Sequence, residues 1–82
     1  MMNRTTIDKA YVDWDFDDEA NGRFKFTVPR AEHNLAVGDK VTVRMLFWDE
    51  EQDATVDEVH DDGIVLKTDW IDFSEEYSIK KV

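Results

Sequence analysis

The sequence predicts an all-β domain: a small antiparallel barrel of five or six strands carrying an N-terminal β-hairpin. Three observations predict it. Apolar residues recur at every second position in several short stretches, the period of a strand with one buried face. Turn-forming segments, Asn21-Gly22, Val37-Gly38-Asp39 and Asp61-Asp62-Gly63, fall between those stretches. No segment sustains a helical period over three turns, and 82 residues leave room for one core.

In the first strand, 10–16, Ala10, Val12, Trp14 and Phe16 fall on one face and Tyr11, Asp13 and Asp15 on the other. The second, 23–28, sets Phe24, Phe26 and Val28 inward and Arg23, Lys25 and Thr27 outward, and Pro29 ends it or marks an edge. Joined through Asn21-Gly22, the two form the hairpin at 10–28. One register places Phe16 opposite Phe24, Trp14 opposite Phe26 and Val12 opposite Val28. Slipping by one pair sets Asp13 against Lys25 and Asp15 against Arg23. Either register gathers aromatics inside and opposite charges outside, and Trp14, Phe24 and Phe26 are expected in the core.

The barrel meander is predicted over 35–82. A strand at 40–48 alternates Val41, Val43, Met45 and Phe47 against Thr42, Arg44, Leu46 and Trp48. Its second half is apolar on both faces, so Leu46 and Trp48 are either covered by another part of the chain or exposed as a contact patch. A charged loop, Asp49 to Asp53, leads to a strand at 54–60, where Val56 and Val59 have opposite parity and imply a bulge. Strands follow at 64–68 and 77–82, with a single helical turn expected to open at Ser74-Glu75-Glu76. The whole chain, 1–82, is read as one domain.

The glycine-turn stretch LAVGDKVTV, the hairpin V-x-x-V-H-D-D-G-I-V-L and the turn before SIKKV resemble an SH3-like barrel over Asn34 to Val82. The resemblance implies a fold used for binding peptides, proteins or nucleic acids, with the N-terminal hairpin as an addition to it.

Composition narrows the function. Twenty acidic residues against ten Lys and Arg give a net charge of -10, which disfavours nucleic acid and anionic membranes as partners. There is no cysteine, so disulfides, zinc-thiolate sites and thiol nucleophiles are excluded, as suits a reducing cytoplasm. The N-terminal stretch MMNRTTIDKAY holds no apolar run, so a cytoplasmic location with no membrane anchor is expected. His33 and His60 are isolated, Ser74 and Ser78 lack a nucleophile-elbow context, and no glycine-rich phosphate loop occurs, so no catalytic residue and no enzyme activity are predicted. Asp13, Asp15 and Asp17 alternate like the start of an EF-hand loop. However, Asp18 stands where the sharp-turn glycine is needed and Phe24 where the bidentate glutamate is needed, so no metal or cofactor is predicted.

A binding surface remains. Asp49, Glu50, Glu51, Asp53, Asp57, Glu58, Asp61 and Asp62 carry eight of the ten net negative charges in one stretch free of Lys and Arg. Trp48, Trp70, Phe73 and Tyr77 offer an aromatic platform beside it. The expected site is therefore Trp48, Asp49, Glu50, Glu51, Asp53 and Trp70, engaging a protein with a basic surface in a small cytoplasmic interaction module. One alternative is a phage-type inhibitor that mimics DNA phosphates, which needs carboxylates in rows not interleaved with Lys25, Lys67, Lys80 and Lys81. Others are direct nucleic-acid binding through Arg44, Lys67, Lys80 and Lys81, and a purely structural domain whose acids only solvate it. The sequence assigns no oligomeric state.

Overall fold

The structure is a computed structural model and describes residues 5–16, 18–47, 49–71 and 74–82. Six strands are present: β1 Thr6–Val12, β2 Arg23–Thr27, β3 Lys40–Met45, β4 Glu50–Val59, β5 Gly63–Lys67 and β6 Tyr77–Lys81. They close in the order β1-β2-β5-β4-β3-β6, every neighbouring pair antiparallel. The architecture is the all-β antiparallel barrel expected and is consistent with a small SH3-like barrel. The N-terminal hairpin is no addition to it: β1 and β2 are barrel staves, closing the wall between β6 and β5.

β1 starts four residues earlier than the alternation indicates and stops before Trp14. A register shift between Ile7 and Ala10 puts both residues into the core although their parity differs, and this bulge hides the strand's first half from a period-two reading. Beyond Val12 the chain turns: the Asp13 carboxylate accepts the Asp15 N–H at 3.0 Å and the Asp13 carbonyl accepts the Phe16 N–H at 3.2 Å. An Asp side chain that satisfies the backbone two residues on competes with the ladder and ends the strand. Trp14 is consequently 53% exposed and not a core residue. Where β1 and β2 do pair, Val12 opposes Phe26, the second of the two registers considered. Asn21-Gly22 makes no two-residue hairpin turn. It closes the 3-10 turn Glu19–Asn21, with Gly22 in the left-handed region at φ 71 and its carbonyl accepting the Thr68 N–H at 2.8 Å.

β3 ends at Met45, so Phe47 lies outside the strand and is 61% exposed instead of inward. The expected acidic loop is mostly strand: Glu50, Glu51, Gln52 and Asp53 pair with Met45, Arg44, Val43 and Thr42. The implied bulge is present in β4, where the register against β5 shifts between Val56 and Glu58 and lets Val59 pack on the core. Residues 74–76 form no helical turn. Ser74 instead uses its hydroxyl on neighbouring backbone, accepting the Phe47 N–H at 2.9 Å and donating to the Glu76 carbonyl at 2.7 Å.

Inward residues from every stave, among them Ala10, Phe26, Val43, Val56, Ile64 and Ile79, form one core cluster. Phe26 and Tyr77 meet edge to face in it, with ring centroids 5.2 Å apart at 78°. Tyr77 is thus core and not part of an exposed aromatic platform. Val65 faces outward yet is fully buried, flanked across the strands by Lys25 and Glu58. Long charged side chains in such positions shield an outward apolar residue with their stems. No helix among the described residues is long and apolar enough to cross a membrane.

Candidate docking surface

Among the acidic residues the fold separates two groups that the sequence leaves pooled. The first answers to cations on β2. The Arg23 guanidinium pairs with Asp18 at 2.6 Å, with Asp57 at 2.8 Å and with Glu58, and it lies over the Phe16 ring with its central carbon 5.8 Å from the centroid. Lys25 pairs with Asp62 at 3.3 Å. Hydrogen bonds from Asn21 and then Arg23 hold the Asp18 carboxyl below the usual aspartate range. Hydrogen bonding to Asp18, then to Asp57, pushes the Arg23 guanidinium up in turn. These carboxylates cap the outer wall over β5.

The second group lies on the β3–β4 hairpin and contains the predicted Asp49, Glu50, Glu51 and Asp53, all exposed. Asp49 sits in the turn with a left-handed φ of 55 and pairs with Arg44. Glu51 and Asp53 point outward from β4, opposite Arg44 and Thr42. At the hairpin tip Leu46 and Phe47 are 40% and 61% exposed, and the Leu46 and Phe47 N–H groups bond to the Glu76 carbonyl and the Ser74 hydroxyl. A tip tethered through its backbone leaves these apolar side chains facing solvent. Trp70 is 45% exposed, which answers for this ring whether it is core or surface. Trp48 and Phe73 lie outside the described residues.

One feature has no signal in the sequence. The β4–β5 ladder begins at the pair Thr55–Lys67, so among the described residues 51–54 has a strand partner, β3, on one side. Beyond Lys67 the chain turns away toward Gly22, and an open trough of about 950 Å³ lies where the two strands part. Glu19, Glu51, Asp53 and Asp69 line it together with Lys40 and Lys67. Thr68 clasps its inner end: its hydroxyl donates to the Asp53 carbonyl at 2.7 Å and accepts from the Gln52 side-chain amide at 3.0 Å.

Cations interleave with both acidic groups. Lys25 stands beside Asp62, Lys67 shares the trough with Asp53 and Asp69, and Lys80 opposes Thr42, whose other neighbour is Asp53. Lys81 pairs with Asp39 at 3.5 Å. His33 is buried, its Nδ1 accepting the Leu35 N–H at 3.1 Å, and burial, with the Arg30 charge added, holds its imidazole below the ordinary histidine value. Among the described residues no three His, Asp or Glu side chains converge in a way that could hold a metal ion. No family model matches the chain, and neither a curated protein nor a solved structure matches it.

Proposed function

We propose that this domain is a cytoplasmic protein-binding module that docks a basic partner on the exposed acidic residues of its β3–β4 hairpin, outward and at the rim. The observation that carries the reading is the division of the acids. Asp18, Asp57, Glu58 and Asp62 meet cations on β2, while Asp49, Glu50, Glu51 and Asp53 are gathered, exposed, beside the exposed Leu46 and Phe47. A surplus of negative charge around Arg44, next to an apolar tip, supplies both elements of a docking face. The carboxylates steer a cationic surface in, and a ring buried on contact supplies much of the affinity. The interleaving of Lys25, Lys67 and Lys80 with the carboxylates weighs against phosphate mimicry, which needs unbroken acidic rows. The test is affinity capture from a cell extract with the domain and with an Asp49→Lys/Glu50→Lys/Glu51→Lys variant. Proteins retained by the first and lost from the second, and released at about 0.5 M salt by screening, are the expected result. Capture unchanged by the reversal overturns the reading.

A further inference from the structure

Resting on that reading, we infer that the partner binds as an extended basic segment, adding an antiparallel strand to the open edge of β4 in the trough. In the ladder next to this edge, the Val56 N–H donates to the Asp39 carbonyl at 2.9 Å and the Val56 carbonyl accepts the Gly38 N–H at 2.8 Å, so Val56 turns its backbone toward β3. Every second residue does the same, hence Ala54, Gln52 and Glu50 also face β3 through the unbroken register 40–45 against 55–50. Glu51 and Asp53 therefore aim their N–H and C=O groups the other way, into the trough. The bond from the Thr68 hydroxyl to the Asp53 carbonyl lies on that side. Among the described residues nothing bonds to the Asp53 N–H or to either Glu51 backbone group, which leaves them for a partner.

The edge at 51–54 spans about 13 Å and presents the Glu51 N–H and C=O and the Asp53 N–H as the donors and acceptor of a strand-addition site. The side chains choose the occupant. In an antiparallel addition, the residues paired with Glu51 and Asp53 share their outward face, so Arg or Lys at alternate positions falls opposite each carboxylate. Glu19 and Asp69 extend the negative lining, so that four carboxylates outweigh the two cations Lys40 and Lys67 and the balance favours a basic strand over an acidic one.

The experiment titrates the full ¹⁵N-labelled chain at low salt with three end-capped decapeptides: alternating Arg and Thr, the same peptide with every arginine N-methylated on its backbone, and alternating Glu and Thr. The Arg-Thr peptide is expected to move the Glu51 and Asp53 amides most and to slow their hydrogen exchange. N-methylation keeps the charge but removes the donors aimed at β4, and is expected to weaken binding about tenfold or more. A Glu51→Lys/Asp53→Lys variant loses binding by a similar factor, and the Glu-Thr peptide does not bind. Equal affinity for the N-methylated peptide overturns strand addition while leaving an electrostatic docking face intact. No binding of the Arg-Thr peptide overturns it as well, even where charge-dependent capture of a basic protein persists. Shifts at Glu51 and Asp53 that grow with protein concentration alone would assign the edge to a second copy of this chain and overturn the proposal.

Discussion

The Thr68 clasp is a sharp place to test the structure, because two hydrogen bonds converge on one hydroxyl at the point where β4 and β5 separate. Thr68→Val keeps the shape and removes both bonds. Each is worth about 0.5–1.5 kcal/mol net, and the added methyl returns up to about 0.8 kcal/mol of apolar burial. With each bond at the middle of that range the net cost is about 1.2 kcal/mol, a fall in Tm of about 5–10 °C for a domain of this size. A drop in Tm alone does not isolate the clasp, so the decisive assay is a double-mutant cycle in urea with Gln52→Ala. The structure gives Gln52 and Thr68 a direct bond of 3.0 Å, and their coupling is expected near 1 kcal/mol. The m-value should stay unchanged, since neither substitution alters the surface exposed on unfolding. Additivity within about 0.3 kcal/mol would refute the clasp, and with it the description of how the trough's inner end is held.

Other expectations follow from the same contacts. Tyr77→Phe removes the acceptor of the buried Ser74 N–H, a bond of 2.9 Å, and should cost about 1–3 kcal/mol in urea unfolding. Trp14→Ala should change stability by no more than about 0.5 kcal/mol, because the ring is exposed, whereas a core tryptophan would cost about 3–5 kcal/mol. Arg23→Gln should lower the thermal midpoint and speed hydrogen exchange at Val65, while Lys80→Gln leaves both unchanged. For His33 the folded pKa lies below the unfolded one, so the unfolded state takes up the proton first and stability rises with pH. The contribution is complete above the unfolded value of about 6.5 and is lost as pH falls below it, at up to about 1.4 kcal/mol per pH unit. Urea midpoints at pH 7.5 and pH 5 should show this slope, and His33→Leu should abolish it.

Much of the barrel was legible because its central staves obey the period-two rule without interruption. Phe24 and Phe26, Val41 through Met45, Ile64 and Leu66 all point where alternation sends them. Even the β4 bulge could be read from the opposed parity of Val56 and Val59. What stayed hidden was hidden for physical reasons. The bulge between Ile7 and Ala10 breaks the pattern that would have announced the start of β1. The Asp13 carboxylate ends that strand early, a choice made by one hydrogen bond against a run of tempting aromatics. The first half of β4 reads as a loop because its outward residues are charged and its inward ones, Glu50 and Gln52, lie near the barrel's rim where polar groups are tolerated. The site residues Asp49, Glu50, Glu51 and Asp53 were named from composition. The distinction between them and Asp57, Glu58 and Asp62 depends on which carboxylates Arg23 and Lys25 reach across the wall, which no local pattern encodes.

The half-open edge of β4 also bears on how the protein behaves at high concentration. A barrel escapes sheet-to-sheet aggregation by having no free ladder, and among the described residues that protection lapses over 51–54. Two copies approaching there, antiparallel about Gln52, would set Glu51 of each against Asp53 of the other. Carboxylate would face carboxylate twice across one short ladder, so like charges oppose the pairing that the bare backbone invites. Acid or concentrated salt lifts that repulsion, which makes this short stretch the first place where crowded molecules would begin to recognise one another.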